Sequence, residues 1–218
     1  MAMLILERGV ERSLIRKRRR LGHDLFDEVW NGVYVMAPNA DNQHQAVSFD
    51  LGMVFGASID APGLGRTLPT PNVSDRADDW KRNFRVPDLG VFLVGTAAVE
   101  YRAFWHGGPD FVVEVASEYD KTDEKIPFYE LVRTRELLII DRDPWRLRLN
   151  RLVDDALQIV ASSALDQGAE LRSNVIPLTF RLEQREGKPV IQVTNYATSQ
   201  TWTIRPRDIP QRRTRKPD

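Results

Sequence analysis

Two short apolar segments of this chain each carry an acidic residue where a buried strand is expected. Asp88 opens the segment VPDLGVFLV, and Glu114 interrupts the segment PDFVVEVAS. Both segments are apolar at nearly every position, which is typical of strands that are covered on both faces. A carboxylate buried in such a strand is unfavourable unless a cation or a hydrogen-bond donor compensates it. The fold must therefore supply partners for Asp88 and Glu114.

The alternation of side chains along a strand predicts where the two carboxylates point. Asp88 shares a face with Gly90, and Glu114 shares a face with Asp110. If the two strands pair with Asp88 near Glu114, both carboxylates converge at one face of the sheet. Adjacent carboxylates repel, so one of them takes up a proton unless a divalent cation lies between them. The chain has no cysteine and three histidines, so oxygen ligands favour Mg²⁺, or Mn²⁺, over Zn²⁺.

Two alternatives to a metal site remain open for these acids. Glu114 forms a buried ion pair with Lys125 or Arg133 in a purely structural interpretation. Asp110 is a third cleft carboxylate in one interpretation and a turn cap after Gly-Gly-Pro in the other. The ion-pair and metal interpretations predict the same proximity of Glu114 to a lysine and differ in whether a metal binds.

Two lysines follow the second acidic strand and complete a recognisable chemistry. Lys121 and Lys125 lie one helical turn apart, so either can face the sheet. An ammonium near a metal-bound water orients that water and stabilises charge that develops on a phosphate. Pro127 is compatible only with the first turn of a helix, so the helix register does not distinguish the two lysines.

The spacing of apolar residues predicts the order of secondary structure. Spacings of three and four residues predict helices over residues 42–59 and 121–133, whereas residues 61–83 are rich in Pro, Gly, Asn and Asp and are mainly loop. The predicted strands occupy residues 23–38, 66–68, 87–94, 110–116 and 136–141. This order predicts a mixed α/β core.

The pattern divides the chain into four predicted segments. A basic N-terminal segment occupies residues 1–24, and the α/β core follows over residues 25–145. Residues 146–204 alternate polar and apolar positions and predict an antiparallel β extension packed on the core. A basic tail over residues 205–218 is expected to be disordered.

The charges balance over the whole chain but not along it. Lys plus Arg and Asp plus Glu number 31 each, so net charge provides no steering toward nucleic acid. The basic run IRKRRR at residues 15–20 is either a phosphate contact or a solvated, partly disordered arm. The sequence contains no signal-like segment and no apolar run long enough to span a bilayer, so we expect a soluble cytoplasmic protein that does not enter the membrane.

Five segments, in order, resemble the Uma-type family of restriction-endonuclease-like proteins, formerly a domain of unknown function within the PD-(D/E)XK nuclease superfamily. The segments are DEVWNGVYVMAP, VPDLGVFLV, PDFVVEVAS, DKTDEKIPFYE and ELLIID, and they extend over residues 25–141. The resemblance implies a restriction-endonuclease-like mixed sheet flanked by helices. It also implies Mg²⁺ dependence, with Mn²⁺ as a substitute, and hydrolysis of DNA phosphodiester bonds by a metal-activated water.

The resemblance also assigns roles to residues. It implies that Asp88 and Glu114 bind the metal, and that a lysine supplies the catalytic ammonium. The superfamily motif has its lysine two residues after the glutamate, where this chain has Ala116. In the resembled family this lysine lies on the following helix, which favours Lys125 over Lys121.

Three further residues match positions of the same family. Glu28 matches its acidic residue before an Asn-Gly step, although it also lies close enough to the basic run for an ion pair. His44 and Gln45 match its His-Gln pair. The resemblance places all three in the same cleft, whereas a helix start is a common place for a capping or surface histidine.

The sequence supports two functional classes. The first is a Mg²⁺-dependent endonuclease that acts on DNA, and we expect it to be a homodimer because a two-fold axis presents two sites to antiparallel strands. The second is a nucleic-acid-binding or assembly protein that retains the fold without cutting. Aromatic residues near the predicted site either stack on bases or cover a core or dimer surface; they are Trp80, Phe84, Tyr101, Phe104 and Trp105.

Overall fold

The structure is a computed structural model that describes residues 8–37, 40–116 and 121–206. Its α-helices are α1 (Arg8–Leu21), α2 (Asn42–Phe55) and α3 (Ile126–Leu131). A π-helical turn extends α2, and 3-10 turns precede β5 and α3; these turns are Gly56–Asp60, Trp80–Arg82 and Thr122–Lys125. The predicted basic tail lies outside the described residues from residue 207 onward.

The strands form three sheets within the described residues. The lateral sheet contains β1 (Glu28–Trp30), β2 (Val33–Val35), β4 (Val73–Ser74), β5 (Phe84–Arg85), β7 (Val99–Glu100) and β8 (Trp105–His106). The central sheet contains β3 (Gly65–Pro69), β6 (Leu89–Leu93), β9 (Phe111–Val115), β10 (Glu136–Arg142), β11 (Trp145–Val153) and β12 (Ala156–Ala164). The C-terminal sheet contains β13 (Leu171–Arg172), β14 (Leu178–Arg185), β15 (Lys188–Asn195) and β16 (Thr201–Ile204).

The central sheet is mixed and carries the two acidic segments in its middle. Its strand order is β12-β11-β10-β9-β6-β3. Strands β9 and β10 are parallel, and α3 lies in the connection between them, as parallel pairing requires a crossover. The other neighbours in this sheet pair antiparallel. A mixed α/β fold was therefore correctly predicted.

Both faces of the central sheet are covered, which explains the continuous apolar character of its middle strands. On one face, α2 and the C-terminal sheet share a buried core with β6, β9 and β10. In this core Phe111 packs against Phe55 of α2 and Phe180 of β14, with ring centroids 5.8 and 6.0 Å apart. On the other face, Phe128 and Tyr129 of α3 pack against a second core.

The predicted β extension has two different parts. Strands β11 and β12 continue the central sheet beyond β10. The C-terminal sheet is antiparallel throughout and contributes apolar residues to the same core as α2. The predicted antiparallel β structure after residue 145 is thus present, and it contributes to burying the central sheet.

The prediction of one strand over residues 23–38 was wrong. The segment forms a hairpin in which β1 pairs antiparallel with β2. Asn31 and Gly32 connect the two strands with φ angles of 50° and 87°. An Asn-Gly pair favours positive φ at both positions and therefore a tight hairpin turn. The hairpin joins the lateral sheet through β1 and β5.

The basic run at residues 15–20 lies within α1, so it is a helix rather than a partly disordered arm, and most of its basic side chains are exposed. Arg18 anchors the last turns of the helix. Its guanidinium donates hydrogen bonds to the Asp27 carboxylate at 2.5 and 2.6 Å and to the carbonyl of Ala37 at 3.2 Å. Each helix of the described chain is too short or too polar to cross a bilayer.

Candidate active site

The pairing of β6 with β9 brings Asp88 beside Glu114. Leu89 lies opposite Val113, so Asp88, one residue before β6, reaches the end of β9 that carries Glu114. The backbone N–H of Val115 donates a 2.7 Å hydrogen bond to Oδ2 of Asp88. This pairing meets the condition under which the two carboxylates converge, and it places both at the same end of the sheet.

Glu114 is buried among polar partners. Nζ of Lys125 lies 3.1 Å from both carboxylate oxygens, and the Tyr129 hydroxyl donates a 2.5 Å hydrogen bond to Oε1. Burial raises the pKa of Glu114 to about 8, against the opposing effect of the Lys125 charge. The neighbouring charges of Asp88 and Glu28 raise this pKa further. The lysine therefore compensates the buried carboxylate only in part.

The structure distinguishes the two candidate lysines. Lys125 is 8% exposed and contacts both Glu114 and Glu28, the latter with Nζ to Oε1 at 3.1 Å. Lys121 is directed toward Glu124, with Nζ to Oε2 at 2.6 Å. Pro127 lies in the first turn of α3. Lys125 is the last residue of the 3-10 turn and directly precedes this helix. Lys125 is the lysine that contacts the site carboxylate.

Glu28 is a buried member of the same cluster. Its carboxylate accepts a 2.8 Å hydrogen bond from the Val86 N–H and a 2.6 Å hydrogen bond from Nε1 of Trp30. Within the described residues, Arg18 of the basic run pairs with the neighbouring Asp27, and the ion pair of Glu28 is with Lys125. The hairpin turn at Asn31-Gly32 thus brings Glu28 to the site through strand pairing rather than through the basic run.

A buried arginine lies behind this cluster. The guanidinium of Arg85 is placed 4.5 Å from the ring centroid of Trp30 and 4.4 Å from that of Phe128. Burial lowers the pKa of Arg85, while the charges of Glu28 and Glu114 oppose that shift. Arg85 therefore adds a second positive charge near the acidic cluster while it packs between two aromatic rings.

The cluster opens into a cleft of about 930 Å³ between α2 and the β1–β2 hairpin. The cleft is lined by Asp88, Glu114, Lys125 and Lys121. It is also lined by the three residues matched by family resemblance, which are Glu28, His44 and Gln45. His44 lies near the start of α2, with Nε2 3.2 Å from Oδ1 of Asp88. Its backbone N–H is capped by the Asp41 carboxylate at 2.8 Å, so the helix cap fixes the position of the histidine.

Asp110 does not join this group. It lies at the opposite end of β9, four residues before Glu114 and therefore about 13 Å away along the strand. Its carboxylate accepts a 2.9 Å hydrogen bond from the Leu93 N–H and pairs with Arg135 at 3.3 Å. Asp110 is thus a structural residue that joins β9 to the end of β6, and it is absent from the residues that line the cleft.

The predicted aromatic residues pack mainly on one another. Trp80 and Tyr101 stack on Phe104, with centroids 4.8 and 4.7 Å apart, and Trp80 also contacts Phe84. Trp105 stacks on Phe92 at 3.7 Å. Among the described residues that line the cleft, none of the five predicted aromatic residues is present. Phe84 and Trp105 belong to the lateral sheet, and Trp105 packs on Phe92 of β6.

Sequence reasoning missed two residues that hold the site. Tyr129 packs α3 on the sheet, and its hydroxyl also donates a hydrogen bond to Glu114. Its position four residues after Lys125 was the available signal, because residues four apart share a helix face. Arg142 donates to the Asp41 carboxylate at 2.8 and 2.9 Å and to the Ala116 carbonyl at 3.1 Å, and no local pattern indicated it.

The residues present are compatible with a divalent cation. Lys125 contacts the carboxyl groups of Glu114 and Glu28, and the charge of Asp88 also acts on Glu114. Within the three described ranges, no three His, Asp or Glu side chains are arranged as a complete ligand set. Mg²⁺ is commonly held by one or two carboxylates together with water and substrate oxygens, and Asp88 and Glu114 match that pattern.

Comparisons with known proteins agree with this fold. A crystal structure of a putative nuclease belonging to DUF820 from Anabaena variabilis is similar, with a TM-score of 0.52 and 17% identity. The match covers 67% of this chain and 80% of the other. No curated protein matches this chain. Residues 22–185 match a family model, Uma2, described as "Putative restriction endonuclease", and because this match spans most of the sequence, the chain belongs to the Uma2 family.

Proposed function

We propose that this protein is a metal-dependent endonuclease that hydrolyses DNA phosphodiester bonds. The observation that carries the proposal is the convergence of Asp88, Glu114 and Lys125 in one cleft of a nuclease-like fold. Membership of a family described as restriction endonucleases supports nucleic acid as the substrate class. A third class, a small-molecule hydrolase that uses the same metal site, has less support because the sequence contains no phosphate-binding Gly-rich loop.

Asp88 and Glu114 would hold Mg²⁺, or Mn²⁺ in its place. The bound ion would supply an activated water and neutralise charge on the scissile phosphate. Tyr129 orients the Glu114 carboxylate through its hydroxyl. The Val115 N–H orients Asp88 through Oδ2, so Oδ1 is directed toward His44 and the cleft.

Lys125 contributes positive charge beside Glu114, one of the two proposed metal ligands. Its ammonium lies between Glu114 and Glu28, at 3.1 Å from each. A fixed ammonium in a site shielded from water stabilises negative charge that develops on phosphate oxygens more strongly than it does in bulk water. Glu28 binds Trp30 and Val86 as well as Lys125, and it therefore positions the lysine.

One observation favours a second candidate function. The Lys125 ion pairs with Glu114 and Glu28 already compensate part of the buried negative charge without a metal. A protein that binds nucleic acid but does not cut it would retain this cluster as a structural ion pair. The two candidates differ in metal binding and in the products formed from DNA.

The test measures both differences. The protein is incubated with single-stranded, duplex and plasmid DNA, with Mg²⁺, Mn²⁺ or a chelator, beside the Glu114→Gln variant. The endonuclease proposal expects cleavage that requires the metal and is lost in Glu114→Gln, and calorimetric metal binding that the substitution weakens. DNA binding without cleavage, together with no heat of metal binding, would support the non-catalytic candidate.

A further inference from the structure

The cleft has an apolar wall that the proposed chemistry does not use. Phe49 and Met53 of α2 both line the cleft, and their side chains are 68% and 62% exposed. They are four residues apart and therefore share one face of the helix. Phe26, which precedes β1, also lines the cleft and is 51% exposed. Large apolar side chains gathered at one cleft and left in contact with water mark a binding surface.

The ligand of this wall must also satisfy the charged cluster beside it. Asp88, Glu114 and Lys125 line the same cleft as Phe49. A ligand suited to both parts has a flat apolar face close to an anionic group that a metal or an ammonium can bind. A nucleotide has this combination, because its base has a π face and its phosphate is anionic.

The basic helix α1 is fixed at the edge of the same cleft. Arg18 donates to the carbonyl of Ala37, which is a cleft residue, and pairs with Asp27, which adjoins Phe26. Among the residues of α1 whose side-chain exposure is described, the other basic residues are exposed; they are Arg12, Arg16, Lys17, Arg19 and Arg20. Exposed cations beside a cleft with aromatic residues are typical of proteins that bind single-stranded nucleic acid.

We propose that the cleft binds unpaired nucleotides, with bases on Phe49, Met53 and Phe26 and the continuing phosphate backbone on α1. The proposal deepens the proposed function and rests on its assignment of nucleic acid as the substrate. In a duplex each base is covered by its stacked neighbours, so only an unpaired base offers its π face to Phe49. Single-stranded DNA, or a locally opened duplex, is therefore the substrate class.

The experiment measures fluorescence anisotropy of a short labelled oligothymidine strand and of its duplex with oligoadenine. Ca²⁺ replaces Mg²⁺, and the probe is checked for integrity on a gel. The proteins compared are the full-length chain, Phe49→Ala, Phe49→Trp and Leu131→Ala. Leu131 is 60% exposed, yet it lies on α3 away from the cleft, so it controls for the loss of an exposed apolar side chain.

We expect the wild-type protein to bind the strand more tightly than the duplex. Phe49→Ala should weaken strand binding about tenfold, which is typical of the loss of one stacking contact. Phe49→Trp retains a ring and should retain the affinity, and Leu131→Ala should match the wild type. Equal binding of strand and duplex, or strand affinity unchanged by Phe49→Ala, overturns the proposal.

A second measurement tests the contribution of α1. Arg16→Ala combined with Lys17→Ala should reduce the salt dependence of strand binding, by about 0.7 in logarithmic slope per charge removed. Arg18 is left intact because it anchors the helix. An unchanged slope overturns the assignment of α1 to the phosphate backbone.

The same variants distinguish two other possible results. If Phe49→Ala converts a dimer into a monomer in sedimentation and leaves strand affinity unchanged, the apolar wall binds a second copy and the proposal is overturned. If metal-dependent cleavage is absent while Phe49→Ala still weakens strand binding, the endonuclease function is overturned and strand binding is supported.

Discussion

Nζ of Lys125 lies 3.1 Å from each carboxylate oxygen of Glu114, and both side chains are buried. The acid comes from the middle of the central sheet, and the lysine comes from the turn that starts α3. Tyr129 reaches the same carboxylate from the next turn of that helix. The helix therefore provides two donors that hold Glu114 in one orientation.

The two lysines should respond differently to removal of their charge. Lys125→Met should reduce metal-dependent cleavage of DNA by about a hundredfold or more, because the variant loses the ammonium beside the phosphate site. Lys121→Met is the matched control, since Lys121 pairs with the exposed Glu124, and its activity should change by less than about threefold. Initial cleavage rates at saturating metal measure both effects. Loss of activity in Lys121→Met alone would assign the catalytic ammonium to Lys121.

Tyr129→Phe should weaken metal binding without unfolding the protein. The substitution removes the hydroxyl that donates to Glu114 and keeps the buried ring. Loss of a partner that orients a metal ligand typically lowers metal affinity by about tenfold to a hundredfold. Calorimetric titration with Mg²⁺ or Mn²⁺ measures the change. Tyr34→Phe is the control, because Tyr34 makes a comparable 2.5 Å hydrogen bond to Asp27, and equal effects of the two variants would argue against this role.

The cap of α2 should lose its electrostatic stabilisation in acid. Hydrogen bonds from Arg142 lower the pKa of Asp41 from 3.8 to about 2. Because the folded pKa lies below the unfolded value, the stabilisation is present above pH 3.8 and is lost as the pH falls toward about 2. Asp41→Asn keeps the cap acceptor but removes the charge, so it should cost less than about 1 kcal/mol at neutral pH.

Urea unfolding of the wild type and Asp41→Asn across the acid range measures this linkage. The stability difference between them should shrink as the pH falls below 3.8. Asp41→Ala also removes the acceptor of the His44 N–H and should cost about 1 kcal/mol more. A stability difference that stays constant down to pH 2 would contradict the assigned pKa.

The hairpin that carries Glu28 should depend on the backbone of Gly32. This residue has a φ of +87°, and a Cβ added there meets no atom within 4 Å. Gly32→Ala should therefore destabilise by about 1 kcal/mol through backbone strain alone. Gly56→Ala is the matched control, because its φ is −55° and its Cβ also meets no atom within 4 Å. That variant should gain up to about 1 kcal/mol, and equal unfolding midpoints in urea would be inconsistent with strain at Gly32.

Local sequence patterns predicted several elements of the site. The apolar runs around Asp88 and Glu114 identified two covered strands, because burial on both faces leaves a continuous apolar pattern. The spacing of apolar residues identified α2, whereas only the family resemblance placed His44 at the cleft. The Asn31-Gly32 pair also indicates a tight hairpin turn, although a single strand was predicted there. These features depend on residues that are close together along the chain.

Other contacts of the site follow from strand order and helix docking. Glu28 reaches Lys125 because β1 pairs with β5 in the lateral sheet. Arg142 reaches Asp41 because β10 ends beside the start of α2. Both contacts join residues that are far apart in sequence, so neither the spacing of apolar residues nor a local motif indicates them.

The sequence by itself indicated that two acids in apolar strands require compensating partners, and it narrowed the candidate catalytic lysine to Lys121 or Lys125. Only the tertiary structure decided that Lys125 contacts Glu114, that Tyr129 donates to the same carboxylate, and that Asp110 lies at the far end of β9. The physical reason is that burial is a property of each strand, whereas the partner of a buried charge depends on which elements meet in three dimensions.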